Sequence, residues 1–147
     1  MEKKIFNSKT LYLINIIFDL ILFIVTVLSL SFLIFSKNAR FSDRNNLIEI
    51  SLYCGYFVIY LFALIVLFTK PKKSVLFLNI SYLVGILLNF YDFRLHHLKY
   101  AGSNALIFFI FLIIIFTLIF TSLIYFNTKN KFKISFYELN EIGKPLD

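Results

Sequence analysis

Tryptophan is absent from this chain of 147 residues, and cysteine, proline and glycine are scarce, at one, two and four residues. Each shortage closes a class of function. One cysteine, Cys54, allows neither an internal disulfide nor a Cys-x-x-Cys redox centre. The two histidines, His96 and His97, adjoin one another, so they cannot clasp a haem from opposite faces. No His-x-x-x-His pair is present to begin a zinc site. Ser103, in AGSNA, lacks the Gly-x-Ser-x-Gly setting of a nucleophilic serine. Only Gly55 and Gly85 lie inside apolar stretches, and neither adjoins a proline. That weighs against the broken helices of secondary transporters.

What is abundant is hydrocarbon. Hydrophobic residues make up 60% of the chain, with 20 Phe and 9 Tyr. A soluble domain of this length cannot bury so much apolar surface, and exposing it invites aggregation. Four apolar runs, about 11–36, 48–69, 74–94 and 105–126, are long enough to cross a ~30 Å hydrocarbon core at about 1.5 Å per residue. They read as helices, because an apolar strand crossing lipid alone leaves its backbone polar groups unpaired. The first run follows Glu2, Lys3 and Lys4 but exceeds the apolar core of a signal peptide, so it is expected to stay as an anchor.

Charge sets the expected orientation. Acidic residues number 8 against 15 basic ones, for a net charge of +7. Nine of the basic residues fall on one side: Lys3, Lys4 and Lys9, then Lys70, Lys72 and Lys73, then Lys129, Lys131 and Lys133. Five fall on the other, namely Lys37, Arg40, Arg44, Arg94 and Lys99. The positive-inside bias then puts both termini in the cytoplasm. These charges cluster at membrane boundaries, so their expected partners are anionic lipid headgroups and not nucleic acid. The loop KPKK is short enough to make the second and third helices a tight antiparallel pair. The chain is thus expected to be an all-α membrane protein of one domain, 1–147. It forms a four-transmembrane-helix antiparallel bundle with a cytoplasmic or interfacial tail, 127–147, in a bacterial cytoplasmic (inner) membrane.

Polar residues inside the hydrocarbon are the candidate sites. At about 100° per residue, Asn15, Asp19 and Thr26 form a stripe on the first helix. Asn79 and Tyr82 lie at comparable depth on the third. Asp19 either hydrogen-bonds across helices as a protonated structural group or carries a proton or cation in transport. The structural role is the preferred one, since no basic partner lies at that depth. Glu49, Tyr53 and Tyr56 share one face of the second helix with Tyr60, while Asn89, Asp92 and His96 share one face of the third. An outer-leaflet cluster of Glu49, Tyr53, Tyr56, Asn89, Asp92 and His96 is expected, with Asp92 and His96 spaced to offer two metal ligands but no complete set. No cofactor or metal is expected. The segment NFYDFRLHHLKY, 89–100, reads as the wet end of a helix.

No complete reactive constellation emerges. The expected function is therefore non-catalytic binding to another membrane component, as an accessory, scaffold or immunity-type protein, with a second membrane protein or another copy as partner. The alternatives are a proton- or cation-coupled small transporter or oligomeric channel using Asp19, and a membrane enzyme with a Glu49/Asp92/His96 site.

Overall fold

A computed structural model describes residues 5–35, 44–100 and 104–131; the side chains of 44–46, 96–100 and 104–105 lie outside the description. It contains four α-helices: α1 (Lys9–Phe35), α2 (Arg44–Thr69), α3 (Ser74–Tyr100) and α4 (Asn104–Lys129). No strand occurs among the described residues, only an isolated antiparallel bridge between Phe6 and Lys131. All four helices are long and apolar enough to cross a membrane. Outward-facing side chains such as Phe32, Leu87, Phe108 and Leu118 are exposed hydrocarbon. This is an integral membrane protein.

Local chemistry sets the helix ends. Ser8 caps α1, its hydroxyl accepting the Leu11 amide at 3.3 Å. Beyond the end of α2, Lys70 adopts φ 48°, and its amide donates to Val66 O at 3.0 Å. This is the left-handed cap that glycine usually fills, and Pro71 prevents any continuation. Ser74 donates from both its amide and its hydroxyl to Pro71 O, which starts α3 three residues later.

The helices run longer than the apolar runs imply. α3 continues through NFYDFRLHHLKY to Tyr100, so that segment is helical to its end. α4 continues to Lys129, which takes Asn127 into the helix and out of the expected tail. Hydropathy reports where hydrocarbon ends; the backbone hydrogen bonds carry on into water. The first and third loops and the tail from 132 onward lie outside the described residues.

Packing follows chain order: α1 lies on α2, α2 on α3 and α3 on α4, while α1 and α4 touch only sparsely. Contacts between opposite helix ends, such as Tyr12 with Leu67 and Asn15 with Asn127, make neighbours antiparallel. The inner pair, α2 and α3, supplies most of the buried side chains. α1 buries only Leu11, Asn15, Asp19 and Thr26. α4 buries Phe120, Leu123 and Asn127, all in its second half. The outer face of α4 is exposed hydrocarbon, from Ile107 and Phe108 to Leu118. The tightest packing lies at the end where the chain begins and α4 finishes. There Asn7 N–H donates to Asn130 O at 3.0 Å, and Ile5 and Phe6 are buried against the bundle.

Candidate functional site

At the tight end, three helices bring four fully buried polar side chains together: Asn15 and Asp19 from α1, Tyr82 from α3 and Asn127 from α4. Asn15 and Asn127 exchange a reciprocal pair of amide hydrogen bonds, each 3.0 Å. The second Asn15 Nδ2 hydrogen goes to Leu11 O at 2.8 Å, one turn back along α1. Tyr82 Oη lies 2.7 Å from Asn15 Oδ1 and 3.1 Å from Asp19 Oδ2. Asp19 Oδ1 is buried with no hydrogen-bond partner.

Aromatic rings wall this cluster. Phe18 stands edge-on to Tyr82, with centroids 6.4 Å apart, and to Phe120 at 5.6 Å. Tyr82 and Phe120 stack at 5.7 Å. Phe120 lies over Gly85, where an added Cβ would meet the ring at 3.5 Å, an ordinary contact distance. On the α2 side, buried Tyr60 sits within electrostatic reach of Asp19.

The predicted stripe therefore divides. Asn15, Asp19 and Tyr82 converge. Thr26 is buried too, but its hydroxyl returns to Leu22 O at 2.7 Å within α1, the usual habit of a helical threonine. Asn79 Nδ2 turns to Thr128 Oγ1 at 2.9 Å, away from Asp19. Asn127 is the member that sequence reasoning missed. Its signal is the spacing Phe120, Leu123, Asn127, one helix face carried past the end of the apolar run.

A second polar group lies nearer the opposite end. Tyr56 Oη donates to Asn89 Oδ1 at 2.8 Å, joining α2 to α3. Tyr53, Tyr56 and Tyr60 form a ladder of rings 6.1 and 6.0 Å apart. Asp92 and Glu49 act electrostatically on Tyr53, and Asp92 also acts on Tyr56. Five of the six expected cluster members thus lie in one neighbourhood; the side chain of His96 is outside the described residues. The shared α3 face serves three neighbours at once: Tyr82 meets α1, Gly85 meets α4 and Asn89 meets α2.

The described lysines of the expected headgroup set, Lys70, Lys72, Lys73, Lys129 and Lys131, belong to the α2–α3 loop and the end of α4, where Lys9 also begins α1. Lys70 Nζ sits 5.2 Å over the Tyr12 ring and Lys129 Nζ 5.7 Å over Tyr125. Tyr12 Oη donates to Leu67 O at 3.1 Å, anchoring that ring to α2. Lys133 lies outside the described residues. No family model matches this chain, and no curated protein or solved structure is significantly similar to it.

Proposed function

We propose that this integral membrane protein acts by non-catalytic binding to another membrane component, as an accessory, scaffold or immunity-type protein. One observation carries the reading. The Asp19 carboxyl group is fully buried and engaged inside the bundle, while α1 and α4 turn most of their length outward as apolar side chains. Polar chemistry that faces inward holds helices together. Apolar faces on two peripheral helices are what a second membrane protein, or another copy, can pack against.

In this reading the lysine-bearing end faces the cytoplasm of a bacterial inner membrane. The nine-to-five charge bias supports that orientation, and the position of residues 5–7 beside 130–131 supports a common side for both. The deciding experiment is purification of the tagged full-length chain from native membranes in a mild detergent, with quantitative mass spectrometry. A membrane protein recovered in fixed stoichiometry, or a defined homo-oligomer, is the expected result. A monomer that arrives alone under several mild detergents overturns the proposal.

A further inference from the structure

The directions of the hydrogen bonds around Asp19 fix where the protons are. Asn15 is the starting point. Its Nδ2 faces Leu11 O at 2.8 Å, and a backbone carbonyl can only accept. The Asn15 amide therefore cannot be turned over, and Oδ1 is the atom that faces Tyr82 Oη at 2.7 Å. Two oxygens at that distance need a hydrogen between them. An amide oxygen has none to give, so the single hydroxyl hydrogen of Tyr82 lies on this contact.

Tyr82 then has no hydrogen left for Asp19. Its oxygen nevertheless lies 3.1 Å from Asp19 Oδ2, in a fully buried site where an unscreened contact between two lone-pair oxygens is repulsive. The contact becomes a hydrogen bond when Asp19 supplies the hydrogen. Asp19 Oδ1 agrees with this. An oxygen without any partner is tolerable as the carbonyl of a neutral acid and far costlier as half of a buried carboxylate.

We infer that Asp19 is a resident proton site: a carboxylic acid whose Oδ2 hydrogen is donated to Tyr82 Oη. This closes a hydrogen-bond chain across α1, α3 and α4. The chain runs from Asp19 to Tyr82 to Asn15, and the reciprocal amide pair carries it to Asn127. The groups facing Asp19 are Tyr82 from α3 and Tyr60 from α2, with Asn15 one turn away on its own helix. Removing the proton reverses the chain. Tyr82 must then turn its hydroxyl toward the carboxylate, and Asn15 Oδ1 keeps only its bond from Asn127. The site holds a hydrogen ion whether or not the protein has a partner.

The test is infrared difference spectroscopy on the full chain in lipid vesicles at neutral pH, wild type minus Asp19→Asn. The wild type is expected to show the carbonyl stretch of a protonated carboxyl group, absent from Asp19→Asn. In Tyr82→Phe, which keeps the ring against Phe120, that band should persist and move to higher frequency because its acceptor is gone. A difference spectrum holding only carboxylate bands overturns the assignment. A protonated band that does not move in Tyr82→Phe overturns the donation to Tyr82. If Asp19→Asn fails to fold, ¹³C-aspartate labelling of wild type and Tyr82→Phe reads the same two outcomes.

Discussion

Asn15 takes part in four hydrogen bonds, the full capacity of an amide, inside a medium that offers no water to replace them. Thr26, eleven residues on and also buried, spends its hydroxyl on its own helix. The two positions should therefore respond differently to truncation. Asn15→Ala leaves Asn127 and Tyr82 short of partners and should cost about 1–3 kcal/mol in a denaturant titration of the detergent-solubilised protein. Thr26→Val should cost under about 1 kcal/mol in the same titration, since no other helix loses a partner. Equal losses at both sites would show that the cluster is not what joins the helices. A double-mutant cycle between Asn15 and Asn127 should return a coupling of roughly 0.6–1.7 kcal/mol, the range of interhelical hydrogen bonds in bilayers.

Among the helices, α3 is the one whose single face is shared out among all its neighbours, and Gly85 marks its contact with α4. A glycine there invites the view that α4 needs the missing side chain. The distance says otherwise, because a Cβ would lie 3.5 Å from Phe120. Gly85→Ala should thus stabilise the bundle by about 0.5–1 kcal/mol through reduced backbone freedom, read as a raised thermal midpoint in detergent. A large loss would mean that Phe120 has no room to stay where it stacks on Tyr82. The helices themselves were legible because each is announced by an apolar run the length of a bilayer, as with α2 ending at KPKK. Their ends were less so. Asn127 and Thr128 look like tail because hydropathy falls there, yet the helix persists to Lys129 and delivers the amide that completes the cluster. Asn79 failed for an angular reason. Three residues before Tyr82, it is rotated by about 60° at helical spacing, enough to meet α4's Thr128 and not α1. The partition of Tyr56 to Asn89, by contrast, follows the tyrosine ladder that spacings of three and four display directly.

Taken whole, the molecule is a bundle with unlike ends. The α2–α3 loop and the start and finish of the described chain share one end, dense in lysine, and that end carries the orientation proposal. With Cys54 replaced by serine, a cysteine at Lys72 should react with a membrane-impermeant maleimide in inverted membrane vesicles and not in intact cells. Labelling from outside the cell would reverse the assigned sides. The lateral faces of α1 and α4 carry the partner proposal, and the co-purification experiment tests it at the level of the assembled complex.

The pairing of Asn15 with Asn127 spans 112 positions of chain. During synthesis, α1 enters the bilayer before α4, and its amide must wait until α4 has been made and inserted. Through that interval a polar stripe is displayed to lipid or to the insertion machinery, which is the kind of feature that marks an unfinished membrane protein for retention or proteolysis. A chain truncated before α4 should be short-lived in a pulse-chase experiment, and Asn15→Leu should lengthen its survival.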